Sequence, residues 1–149
     1  MKDTISSVAE WHRRARPSPS ARDAQVQLGC HLEEVAELFD GVDGTTPEAR
    51  LAIDEATQAL DKLARGLKAG TLEVGVYNRA LFLDSLLDQI VTGVGAAYCV
   101  GLDAPLGLRM VDASNWSKFD PATGEPYRDA NGKIAKGPAY RAPDLSELV

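Results

Sequence analysis

Cysteine and histidine are scarce in this chain of 149 residues, which contains two of each. Cys30 and Cys99 lie in apolar segments without metal-ligand spacing, so we expect reduced cysteines in the core of a cytosolic protein. His12 has no evident metal partner, and we interpret it as structural. A disulfide framework is therefore not expected.

Basic residues are few compared with acidic ones, with 16 Lys and Arg, 22 Asp and Glu, and a net charge of −6. Because binding to a nucleic-acid backbone requires clustered cations, we expect no nucleic-acid partner. An acidic enzyme can still act on an anionic nucleotide when metal ions carry the attraction. No apolar signal region and no unbroken apolar run of about 18 residues are found, so we expect no membrane partner and a cytoplasmic location.

Strand-like alternation, repeats and low-complexity runs are also missing, and the pattern present is helical periodicity. The length fits a single domain over 1–149, with a helical core at about 3–119 and an irregular tail over 120–149. We expect helices over 3–15, 21–39, 47–67 and 77–100, followed by a turn and a short helix. The sequence therefore predicts an all-α fold, a four- to five-helix bundle that is oligomeric.

The fourth predicted helix has a wide apolar face, and a bundle this rich in such faces is expected to leave apolar surface for contact between subunits. Its apolar residues are Leu81, Leu83, Leu87, Ile90, Val91, Val94 and Ala97. Gly93 and Gly95 would allow a neighbouring helix to approach closely.

Glutamates interrupt the apolar pattern of the second predicted helix in the stretch CHLEEVAEL, residues 30–38. Glu34 and Glu37 lie one turn apart, next to Glu33, and like charges at that spacing repel by a few tenths of a kcal/mol in water. No Lys or Arg lies within one turn along the chain to compensate. This arrangement suggests that a cation from elsewhere offsets the repulsion.

A second carboxylate pair lies on the fourth predicted helix, where LFLDSLLDQIV places Asp84 and Asp88 one turn apart among leucines. If the two helices pack together, these residues with Glu34 and Glu37 form an oxygen-rich site suited to Mg²⁺ or Mn²⁺. The alternative is that both pairs lie on solvated helix faces. Spacing alone leaves both interpretations open.

A third element, SNWSKFD at 114–120, completes a resemblance to a known superfamily. The chain resembles the all-α nucleoside triphosphate pyrophosphohydrolases that include MazG, phosphoribosyl-ATP pyrophosphohydrolase and dimeric dUTPase, and in particular small phage-type members. The Glu-Glu-x-x-Glu motif matches residues 33–37. The tail is also similar, with Lys136-Gly137-Pro138 followed by Tyr140 and by Pro143-Asp144-Leu145. In the second motif, Glu-x-x-Asp, Ser85 stands where a glutamate is expected, and Asp84 would have to replace it.

The resemblance implies Mg²⁺-dependent hydrolysis between the α- and β-phosphates, giving a nucleoside monophosphate and pyrophosphate. The implied ligands of Mg²⁺, or of Mn²⁺, are Glu34, Glu37, Asp84 and Asp88. The implied catalytic residues are Glu33, which would orient or deprotonate water, Glu34 and Lys118. The implied substrate-binding residues are Asn115, Trp116, Lys118 and Lys136.

Base specificity is not decided by any residue that we can identify. The short chain and the Lys-Gly-Pro tail resemble phage-type members, including MazG-like enzymes that hydrolyse dGTP, and this resemblance implies a purine deoxynucleotide such as dGTP. Alternatives are removal of dUTP or dCTP, hydrolysis of phosphoribosyl-ATP, and a non-catalytic helical interaction or regulatory protein. The resemblance also implies a homo-oligomer, either a dimer or a tetramer.

Overall fold

The computed structural model describes residues 3–130 and 132–149. These residues form five α-helices and no strands, which confirms the all-α class. The helices are α1 (Thr4–Ala15), α2 (Ala21–Glu37), α3 (Pro47–Ala69), α4 (Arg79–Cys99) and α5 (Ala104–Trp116). Short 3₁₀ helices follow α2 and lie near the end of the tail, at Leu38–Gly41 and Ser146–Leu148.

Each α-helix begins at a side chain that accepts a hydrogen bond from the first helical turn. Ser20 and Asp23 form a capping box at the start of α2. Thr46 caps α3 directly before Pro47. The other capping residues are Asp3, Asn78 and Asp103. Local sequence signals thus determine where the helices start.

The described residues belong to two compact units. Residues 19–77 contain α2 and α3, which form an antiparallel pair. A Cβ atom added at Gly29 on α2 would lie 2.7 Å from Lys68 Cγ and 2.9 Å from the carbonyl oxygen of Ala64. The two helices therefore approach closely at Gly29, beside the buried side chain of Leu67.

The other unit, residues 1–18 and 78–149, contains α1, α4, α5 and the tail. The indole N–H of Trp11 donates to the Asn115 carbonyl at 2.9 Å, and that of Trp116 donates to Ser7 Oγ at 2.9 Å. Phe119 is buried against both tryptophan rings. Two hydrogen bonds and one aromatic cluster thus join α1 to the end of α5.

The tail is irregular, in agreement with the sequence-based expectation. Two isolated antiparallel bridges, Phe119 with Pro126 and Arg128 with Ile134, give it a folded-back course. The guanidinium of Arg128 donates to the carbonyl oxygen of Ala15 at 2.6 Å, which ties the tail to the end of α1.

The apolar face of α4 is exposed in the single chain, since none of its residues is buried. Its exposed large apolar side chains are Leu81, Phe82, Leu83, Leu87, Ile90, Val91, Val94 and Tyr98. Cβ atoms added at Gly93 and Gly95 would meet no neighbouring atom of the described residues within 4 Å. Cys99 is exposed rather than in the core, whereas Cys30 is half-buried, and both thiols are free.

By length and composition, α4 is the one helix of the described residues that could cross a membrane. An apolar helix at an interface between soluble subunits passes the same test. Asp84 and Asp88 on this helix would be costly in a bilayer. The helix is therefore compatible with a soluble protein.

Candidate functional site

Glu34 and Glu37 lie near the C-terminal end of α2 with exposed side chains. Neither forms an ion pair with another part of the chain that the structure describes. The repulsion between them, together with the partial negative charge at this end of the helix, is therefore offset only by solvent. Both carboxylates are accessible to a cation.

Glu33 differs from these neighbours because its carboxylate has a cationic partner. Nζ of Lys68, at the end of α3, donates a hydrogen bond to Oε1 of Glu33. The compensating charge that the local sequence did not provide comes from the adjacent helix. The side chains of Lys68 and Glu33 are 29% and 38% exposed, so water screens part of their attraction.

A cleft of about 270 Å³ between α2 and α3 has additional carboxylates on its walls. Glu33, Glu37, Asp40 and Asp61 line it together with Arg65, which is paired with Asp61 at 3.4 Å. Sequence reasoning missed Asp40, which follows α2 in a segment predicted as a loop. It also missed Asp61, whose only local signal is the four-residue spacing from Arg65.

Asp84 and Asp88 lie on α4 and are exposed, as is Ser85. Their carboxylates form no ion pair within the described residues. The hydroxyl of Thr92 donates to the backbone oxygen of Asp88 at 2.8 Å, which leaves the Asp88 side chain uninvolved in that bond. Like Glu34 and Glu37 on α2, these two carboxylates are therefore exposed and carry like charges without an ion pair among the described residues.

The four predicted metal ligands are divided between the two units, with Glu34 and Glu37 in one and Asp84 and Asp88 in the other. Among the described residues, no three His, Cys, Asp or Glu side chains lie together as a metal-binding group. Each pair offers the hard oxygen donors that Mg²⁺ prefers, and the donor set fits this ion in kind. The assembled four-carboxylate site remains a prediction.

Asn115 and Lys118, at the end of α5, are in direct contact. Nζ of Lys118 donates to Oδ1 of Asn115 at 2.8 Å and lies 6.0 Å from the centre of the Trp11 ring. Lys118 forms no ion pair with any described carboxylate. An ammonium group that contacts a neutral amide oxygen, with no carboxylate beside it, can still attract an anion.

Trp116 packs against α1. Its indole N–H is bonded to Ser7, and the guanidinium of Arg14 lies 5.6 Å from its ring centre. Trp116 also borders a cavity of about 670 Å³ between α5 and the tail, where Arg141 forms another part of the wall. A base that stacks on the Arg14 side of the ring would have to displace the guanidinium.

Lys136 on the tail lies beside Tyr140, which belongs to the similar tail segment but was given no role from the sequence. The ammonium of Lys136 is 4.8 Å from the centre of the Tyr140 ring. The hydrogen bond with Ser114, and then the charges of Lys136 and Lys118, hold the pKa of Tyr140 below its usual value. The contact of Tyr140 with α5 depends on the folded-back tail, which the sequence did not predict.

Comparison of this chain with protein-family models, with curated proteins and with solved structures found no match. The superfamily resemblance consequently depends on the three motifs and the tail of the sequence itself.

Proposed function

We propose that this protein is an Mg²⁺-dependent nucleoside triphosphate pyrophosphohydrolase that converts a (d)NTP to (d)NMP and pyrophosphate. The favoured substrate is a purine deoxynucleotide such as dGTP. The observation that carries the proposal is the pair Asp84 and Asp88, exposed and unpaired among the described residues on an otherwise apolar helix. A helix of this kind has little reason to keep two adjacent carboxylates unless they bind something.

In this proposal Glu34, Glu37, Asp84 and Asp88 hold Mg²⁺, and Mn²⁺ can replace it. The metal ion supplies positive charge for the phosphate oxygens and lowers the pKa of water that it binds. Glu33 would orient the attacking water, accept its proton, or serve as a further ligand. The ion pair between Glu33 and Lys68 supports this role, because it keeps the carboxylate fixed beside Glu34.

Substrate binding is assigned to the end of α5 and to the tail. Lys118 neutralises phosphate charge, and the Asn115 amide that contacts it hydrogen-bonds the nucleotide. Lys136 adds a second cation, and Trp116 offers an aromatic edge beside the cavity between α5 and the tail.

The protein is proposed to be a cytoplasmic homo-oligomer, a dimer or a tetramer. The exposed apolar residues of α4 support this proposal, because water contact with so many large side chains on one helix is unfavourable. A second copy of the chain that covers α4 would bury Leu87 and Val91 and would bring Asp84 and Asp88 to the interface.

A pyrophosphate-release assay with Mg²⁺ across the common ribo- and deoxyribonucleoside triphosphates tests this function. We expect Mg²⁺-dependent release that is fastest with dGTP and is abolished by a chelator. Fastest release from dUTP or dCTP, or hydrolysis of phosphoribosyl-ATP alone, would change the substrate assignment.

Release from none of these substrates would favour a non-catalytic helical interaction protein. The feature that supports this second candidate is Ser85, which stands where the second motif of the superfamily has a glutamate.

A further inference from the structure

Two lysines from different segments lie where the tail meets the end of α5. The ammonium of Lys136 is 4.8 Å from the centre of the Tyr140 ring. The backbone N–H of Arg141, next to Tyr140, donates to Oγ of Ser117 at 2.8 Å, which holds this part of the tail at the end of α5. Lys118 follows Ser117, and its Nζ is held by Asn115 at 2.8 Å.

No carboxylate within the described residues forms an ion pair with Lys118 or Lys136. Both ammonium groups therefore lack an anionic partner in that part of the chain, and an anion placed beside them would supply one. The pKa of Tyr140 is lowered chiefly by hydrogen bonding with Ser114 and then by the charges of Lys136 and Lys118, which agrees with a positive potential at the hydroxyl.

Donor capacity indicates which anion fits. An ammonium group donates hydrogen bonds and accepts none, and the phenolic O–H of Tyr140 can also donate. Two cations and a hydroxyl donor match an anion with several charges and several oxygens better than a single carboxylate.

We propose that Lys118, Lys136 and the Tyr140 hydroxyl form a site for a pyrophosphate group, free or as part of a nucleotide, that requires no divalent cation. This inference rests on the proposed function in that it names the part of the substrate or product held by the tail. It adds Tyr140 as a binding residue and separates phosphate binding by the tail from metal binding by the carboxylates.

Calorimetric titration of the full chain with inorganic pyrophosphate, in the presence of a chelator, tests the proposal. We expect binding that weakens about tenfold or more in Tyr140→Phe, Lys136→Gln and Lys118→Gln. Matched controls are Lys133→Gln, which removes the same charge from an exposed lysine of the tail, and Tyr77→Phe, at a tyrosine that is 96% exposed. Both controls should bind pyrophosphate like the parent.

Absence of pyrophosphate binding in the parent, or unchanged binding in all three site variants, would overturn the inference. If Tyr140→Phe fails to fold, the comparison of Lys136→Gln with Lys133→Gln decides alone, because both lysines are exposed.

A second titration with dGTP and with dGMP, again without metal, distinguishes a nucleotide from free pyrophosphate as the ligand. Weaker binding of dGMP than of dGTP is expected if the site holds the terminal phosphates of a nucleotide. Equal binding of the two would overturn that part and leave free pyrophosphate as the ligand.

An ultraviolet titration of the tyrosines provides a readout that a purely structural role would not change. Subtracting the Tyr140→Phe curve from that of the parent isolates the Tyr140 phenol. Pyrophosphate bound beside the hydroxyl should raise the pKa of this phenol, because the anion disfavours the phenolate. An unchanged phenol pKa in saturating pyrophosphate would contradict the proposed position of the anion. Turnover of dNTPs by the parent is measured separately. The inference about pyrophosphate binding can therefore fail while the proposed function stands, and the proposed function can fail while pyrophosphate still binds.

Discussion

The ammonium of Lys68, at the end of α3, forms an ion pair with the carboxylate of Glu33 on α2. The side chain of the same lysine also lies against Gly29, where α2 and α3 approach each other closely. The charge of Glu33 is therefore compensated by the protein itself, whereas the charges of Glu34 and Glu37 are not. Of the three neighbouring glutamates, Glu33 is thus ion-paired, whereas Glu34 and Glu37 are not.

A double-mutant cycle of Glu33→Gln and Lys68→Met should give a coupling free energy of about 0.2–1 kcal/mol in urea unfolding. The value is small because both side chains are partly exposed. Lys62→Met, at an exposed lysine of the same helix, should show no coupling to Glu33→Gln. Strict additivity in the Lys68 cycle would mean that the ion pair contributes nothing to stability.

Glu34→Gln and Glu37→Gln are each expected to abolish Mg²⁺-dependent turnover while the circular dichroism spectrum stays helical. Glutamine keeps the shape and removes a ligand charge. Because like charges one turn apart repel, the Tm of the metal-free protein should rise slightly in both variants. Glu55→Gln, at an exposed glutamate of α3, is the control and should keep full turnover. Normal activity in both glutamine variants would mean that this stretch is a solvated helix face and does not bind the metal ion.

Gly29→Ala should destabilise the protein by about 1–3 kcal/mol, because the new methyl group would clash with the backbone oxygen of Ala64, 2.9 Å away. The flexible side chain of Lys68 can move, but the α3 backbone cannot without separating the helices. Gly107→Ala is the matched control, since its Cβ would meet only Leu148 at 3.5 Å. We expect that control to gain about 0.5–1 kcal/mol from better helix propensity. Equal effects of the two substitutions in urea unfolding would contradict a close approach at Gly29.

The helices and their starting points could be predicted from the sequence because they depend on neighbouring residues. Thr46 followed by Pro47 marks the start of α3 in the sequence and in the structure alike. The contact between Lys118 and Asn115 is local in the same sense, since three residues separate them on one helical turn. Such features follow from spacing and capping chemistry alone.

The remaining features depend on which segments meet after folding, and spacing does not contain that information. Lys68 is 35 positions from Glu33 in the chain, yet the two side chains are in contact. The finding that no cation lies near the glutamates is therefore true of the sequence but not of the folded chain. Tyr140 reaches Ser114 through a folded-back tail without a regular pattern. Apolar periodicity on α4 indicated that something covers this helix, but the residues of one chain do not cover it.

Light scattering should give a mass for the parent at micromolar concentration that is two or four times the 16.0 kDa of one chain. Val91→Glu should shift that mass toward the single chain, since Val91 is 68% exposed and a glutamate there would be buried without a partner in an interface through α4. Leu51→Glu, at a 59% exposed leucine of α3, is a control for added charge at an apolar surface position and should leave the mass unchanged. A mass of 16.0 kDa for the parent would contradict the oligomer proposal.

Asp84 and Ser85 provide the last prediction. Positions three and four residues before Asp88 flank one face of a helix, so an aspartate at 84 can reach a metal ion that a glutamate at 85 would otherwise bind. Asp84→Asn is therefore expected to lose Mn²⁺ affinity about as severely as Asp88→Asn. Ser85→Ala should have a mild effect, because its hydroxyl can contribute only a water-mediated contact to the ligands.

Titration with Mn²⁺, monitored by water-proton relaxation, measures this affinity without relying on turnover. All three positions are exposed, so none of the substitutions should affect folding, and a thermal melt of each variant checks this expectation. If Asp84→Asn binds Mn²⁺ and turns over substrate like the parent, Asp84 does not replace the missing glutamate. The metal site would then use Glu34, Glu37 and Asp88 as its protein ligands, with water in the remaining positions.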